Sequence, residues 1–131
     1  MAVVAFEVQR SQPFADGQEF GAVGAYTRIN GVLTFAVDPL HRANAGIADL
    51  DLAPRDAEGL VRFQSDVVLI APADFGRGNG ALLLDVPNRG RSVAGWLNGS
   101  VDRGARPPGP VAFEPFDGHI FRRGFAALTV G

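Results

Sequence analysis

Apolar residues in this chain come in short runs, most of them separated by Gly, Pro, Asn or Asp. Residues 2–8 (AVVAFEV) are β-branched and aromatic and predict a strand. Residues 11–24 carry Pro13, the pair Asp16–Gly17 and two further glycines, and predict a loop. Asn30–Gly31 then separates two apolar arms, 26–29 and 32–37. A type I′ turn needs positive φ at both central residues, so this dipeptide predicts a β-hairpin. Asp38–Pro39 ends the second arm, because proline cannot donate to a ladder. Residues 40–54 are polar and Ala-rich, with Ile47, Leu50 and Leu52 as anchors. Two more strands are expected at 60–63 and 66–71, the first after a turn at 56–59. The run 67–70 is apolar throughout, which implies cover on both faces.

The pattern changes after Ala73. Residues 74–80 (DFGRGNG) form a Gly-rich loop, and 81–86 are apolar until Asp85, a strand stopped by 87–90. Residues 92–97 suit a short helix anchored by Trp96, and the Pro- and Gly-rich segment 98–110 suits a loop. Asp117–Gly118 suits the cap of a short helix at 119–123, with Gly124 as its left-handed C-terminal residue. Residues 125–130 read as the last strand. The interval between the strands at 81–86 and 125–130, with a helix just before the second, suits a right-handed crossover between parallel neighbours. The fold class expected is α/β, as one domain over 1–131. Its antiparallel β-rich first part (1–73) leads into the start of a parallel core (74–131). Parallel strands need helices over both faces, more than this chain supplies, and the last strand ends at Gly131. The reading is of an incomplete domain with an unpaired edge at 125–130.

Composition narrows the function classes. A length of 131 residues allows one domain with a sizeable core, and 47% hydrophobic against 20% charged residues fits a globular chain. A net charge of −2 argues against nucleic acid, which calls for a basic face. Apolar runs as short as 67–71 do not span a bilayer, and the start MAVVAFEVQR lacks a signal-peptide pattern. With no cysteine, disulfides and thiolate metal sites are excluded, and the cytoplasm is the compartment expected. All basic residues are Arg and none is Lys.

Three stretches carry a family resemblance: PFADGQEFGAVGAYTRINGVLTFAVDP, DLDLAPRDAEGLVRFQSDVVLIAPAD and RGNGALLLDVPNRGR, with FRRGFAALTVG after them. Together they resemble the amino-terminal part of the large bacterial alpha/beta-hydrolase-domain proteins. The resemblance implies an α/β-hydrolase-type sheet and hydrolysis of a carboxylic ester or related small acyl substrate. It implies a serine nucleophile, a His base and an acid downstream of Gly131, with no cofactor. On that implication the present residues supply a sheet edge and one oxyanion loop, and the partner is a missing C-terminal half. Acyl transfer needs backbone N–H donors where negative charge develops, one of them from the loop after a sheet strand. By position that loop is Asn88, Arg89 and Gly90. The alternative is a plain strand-ending turn, with Asn and Gly present for their φ tolerance.

Other residues are candidates on their chemistry alone. Gly90-Arg91-Ser92-Val93-Ala94 matches a relaxed nucleophile elbow, but Ser92 lies beyond Pro87 instead of at the strand tip; a helix N-cap is the simpler role. Ser100 lacks the flanking small residues. His41 and His119 are the histidines present, and their surroundings suit surface or capping roles. Asp49 and Asp51 would share one face of a strand and reach Arg55; a calcium site needs more oxygen ligands than they offer, so no metal is expected. Residues 76–80 precede a strand, the reverse of a phosphate loop, and read as a hairpin or linker loop. Two functional readings follow: an inactive amino-terminal portion of an acyl hydrolase, or a stand-alone β-rich binding module without catalysis.

Overall fold

A computed structural model describes residues 2–87, 97–99 and 114–131. Five strands form one sheet in the spatial order β1-β2-β3-β5-β4. They are β1 (Ala2–Pro13), β2 (Tyr26–Val37), β3 (Val61–Pro72), β4 (Leu82–Asp85) and β5 (Ala126–Val130). Every neighbouring pair is antiparallel except β4 with β5. Helix α1 (His119–Arg122) is a single turn of four residues.

The expected fold class is therefore corrected: among the described residues the chain is mostly β, one mixed sheet with little helix, not an α/β-hydrolase-type fold. The β4–β5 pair is parallel, as its spacing suggested, but β3 meets antiparallel neighbours on both sides. Its apolar run reports burial within the sheet, and burial does not depend on strand direction. The unpaired edge moves too. Strand β5 is paired on both sides, and the sheet ends at β1 and β4.

The predicted hairpin is also corrected. Strand β2 runs unbroken through Asn30–Gly31, with β1 and β3 as its partners. The register of β1 slips between Val8, opposite Gly31, and Arg10, opposite Asn30, leaving Gln9 as the extra residue of a bulge. A Cβ on Gly31 would crowd the Glu7 carbonyl oxygen and lie 2.6 Å from Cε2 of Phe6. The glycine permits close approach of β1 instead of a turn. The strands read separately at 60–63 and 66–71 are one, β3.

Side chains alternate across the sheet, so the register sorts them onto two faces. The first face holds Tyr26, Val68, Ile70 and Ala127, all buried. Residues 14–25 fold back over it through two 3-10 turns, Phe14–Gly17 and Gly21–Val23. They deliver Phe14, Phe20 and Val23, and α1 adds Ile120 and Phe121. The Phe121 ring sits 5.1 Å from Phe14, 5.1 Å from Phe20 and 5.0 Å from Tyr26. The Tyr26 hydroxyl donates to the carbonyls of Phe121 at 2.9 Å and Phe125 at 3.2 Å, tying β2 to the C-terminal end of α1 and to the start of β5. Burial pushes its pKa up to about 12.

The second face carries Phe6, Ile29, Leu33, Leu69, Leu128 and the outer leucines of β4. Leu82 and Leu84 remain 54% and 57% exposed. The apolar run at 81–86 is thus bare on one side, where the sequence implied cover on both. Leu83, between them, packs against the aromatic core.

Candidate functional site

The carboxyl ends of the parallel pair carry the polar interior of this molecule. Asp85 faces Thr129 across the β4–β5 ladder, and both are buried. The Thr129 hydroxyl lies 3.5 Å from the Asp85 carboxylate. Thr129 is in register with Val68 and Val68 with Asn30, so one row crosses four strands. Next to that row lies a cleft of 160 Å³, bordered by Gln9, Asn30, Asp66 and Thr129 among others. Gln9 is there because the β1 bulge inserts it. The amide of Asn30 accepts from Arg28 Nε at 3.3 Å, which orients it. Backbone closes the rim, where Gly131 N donates to Asp66 O at 3.2 Å.

This cleft offers one carboxylate, two amides and a hydroxyl. It can hydrogen-bond a small polar molecule. Among the described residues that border it there is no imidazole. Among the described residues no group of three or more His, Cys, Asp or Glu side chains gathers as a metal site.

The residues singled out from sequence are mostly elsewhere. The oxyanion-loop candidates Asn88, Arg89 and Gly90, and the outside nucleophile candidate Ser92, lie outside the described residues, as do Ser100 and Trp96. His41 accepts from Ala43 N at 3.2 Å and caps the 3-10 turn Arg42–Asn44. His119 is the exposed first residue of α1, where Asp117 Oδ1 accepts its backbone N–H at 2.8 Å. The two histidines are thus placed in a turn and at a helix start. Asp49 sits in the left-handed region at φ 57° before the turn Leu50–Leu52, so Asp49 and Asp51 do not alternate along a strand. Arg55 donates to the Asp51 carbonyl, at 3.3 Å. The anchors expected at Ile47 and Leu52 are exposed. The loop at 76–80 is a linker: Asp74 Oδ1 accepts Gly76 N, and Asn79 donates to Arg123 O at 2.7 Å.

One residue inside a segment read only as loop proves central. Asn98 is fully buried, with its amide nitrogen 2.6 Å from Pro115 O and its Oδ1 accepting Ile120 N at 3.0 Å. It satisfies a free N–H at the start of α1, so the ring of Phe121 is held in place by a distant side chain. An Asn in a Gly- and Pro-rich stretch carries no local signal that distinguishes this role from a turn.

No protein-family model matches the chain, and no curated protein or solved structure matches it either. Among the described residues no helix is long and apolar enough to cross a membrane.

Proposed function

We propose that this chain is a β-rich interaction module without a catalytic centre of its own. The observation behind this reading is the second face of the sheet. No ionisable side chain alternates to that side of the five strands, and its outer residues stay open to solvent. Exposed apolar patches of more than a few hundred Å² mark sites of protein contact. The aromatic cap makes the first face self-sufficient, so the chain folds around one face and presents the other. Analytical ultracentrifugation and binding of an apolar dye test this together. A folded chain either binds the dye through a free face or buries that face in an assembly. A folded, monomeric chain that binds no dye ends the reading.

A second reading is hydrolysis of acyl esters by a longer polypeptide to which these residues contribute. It is favoured by the parallel pair leading through Asp85 towards Asn88, Arg89 and Gly90, within the stretch that carries the family resemblance. It is tested by turnover of a p-nitrophenyl ester. The chain alone gives none, and co-expression with polypeptide encoded downstream restores it. No turnover in either case removes this reading.

A further inference from the structure

We infer that the open face of the sheet packs against the same face of a second copy of this chain, giving a two-sheet dimer. The inference rests on the interaction-module reading and names its partner.

Three observations select a second copy. The first is charge. The side chains that alternate to this face are apolar apart from a few hydroxyls such as Ser65, so two copies meet without repulsion and without burying an unpaired ion. An anionic lipid surface fits poorly, since it favours a basic protein and this chain has a net charge of −2. The second is area. At ~3.3 Å per residue and ~4.8 Å between strands, β1–β3 present a strip roughly 35 Å long, and all five strands a width of about 20 Å; Val37, Val61, Val67 and Ala71 are already buried within it, and Val3, Phe6, Val8, Leu82 and Leu84 supply its exposed part. The whole strip is of the same order as the ~800 Å² each partner of a stable dimer buries. The third is shape. Strands β2 and β3 pair in unbroken register along their whole length, from Tyr26 opposite Pro72 to Val37 opposite Val61. A regular twisted face is matched by another of the same twist, at an angle of about 30° and a spacing of ~10 Å. The arrangement is two-fold, each patch meeting its own copy.

Sedimentation equilibrium, dye binding and cysteine cross-linking form the test. The wild type is expected at twice the monomer mass and silent to the dye. Leu84→Glu, at an exposed position, is expected to weaken the dimer at least tenfold while circular dichroism stays unchanged. The native chain has no cysteine, so Leu69→Cys near the centre of the face is expected to cross-link to its copy on mild oxidation. Glu7→Cys, on the other side of β1, is expected not to. A dye-binding monomer overturns the second copy and leaves the interaction reading standing. A dye-silent folded monomer overturns both. A dimer that survives Leu84→Glu, or that does not cross-link through position 69, places the contact elsewhere and overturns this one.

Discussion

On one side of the sheet, Tyr26, Ile70 and Ala127 lie beneath the rings of Phe14, Phe20 and Phe121. On the other, Phe6, Leu82 and Leu84 remain within reach of water. The strands contribute apolar side chains to both sides, so alternation along β3 or β5 does not distinguish them. The difference comes from the connections. Residues 14–25 and α1 both fold to the first face, and each aromatic ring buries about 150–250 Å² there, or roughly 4–6 kcal/mol before entropy is charged. The second face is covered only in part: Val37, Val61, Val67 and Ala71 are buried on it, while its outer residues are not. Apolarity states what needs cover; loop geometry decides what receives it.

Substitutions on the two sides should separate these roles, and the largest effect belongs to the capped face. Phe121→Ala removes a fully buried ring that touches three others and is expected to cost about 3–5 kcal/mol in urea denaturation. A loss below 1 kcal/mol would mean that the cap does not hold the sheet. Gly31→Ala acts between the faces. Its Cβ collides with the Glu7 carbonyl and the Phe6 ring, so a loss of about 2–3 kcal/mol is expected, with increased hydrogen exchange along β1.

Tyr26→Phe removes one hydroxyl from the capped face and is expected to cost about 1 kcal/mol near neutral pH. Its pH signature is sharper. Tyr26 is the chain's sole tyrosine, and there is no Lys or Cys to titrate beside it. Its pKa is raised from 10.0 to about 12 in the fold, so the unfolded chain gives up this proton first. Stability is therefore constant in this group below pH 10 and falls as pH rises towards 12. Tyr26→Phe should flatten that slope; an unchanged slope would assign it to another group. Leu84→Ser, on the open face, is expected to change the stability of the monomer by less than about 0.5 kcal/mol, measured at concentrations too low for association. A large loss there would show that the second face is already covered within one chain.

Much of the strand content was legible because it rests on short-range rules. The β-branched run at 2–8, the apolar run at 67–70 and the final strand are all strands in the fold. Asp117, Gly118 and Gly124 frame α1 as their capping chemistry implies, with Gly124 at φ 79°. Asn30–Gly31 misled because the same dipeptide that turns a hairpin also relieves crowding beside a bulge; only the position of β1 distinguishes the two. The expectation of parallel α/β layers failed for a related reason. Two apolar strands and a short helix fit a crossover, yet β3 runs antiparallel to β5, and the helix is too short to cover a sheet. Asp85, buried against Thr129, was visible as the end of an apolar run, but the cleft residues Gln9, Asn30 and Asp66 are far apart in sequence and meet only through register.

By itself the sequence determined where the chain extends, where it turns sharply at Asp56 and Gly124, and that its net charge is −2. Those properties depend on side chains and on neighbours a few positions away. Strand order, the long unbroken β2, the service of Asn98 to α1 and the division into a capped and an open face were decided by tertiary structure. Each depends on contacts between residues remote in sequence, and their energies appear only when several strands and a loop are in place together.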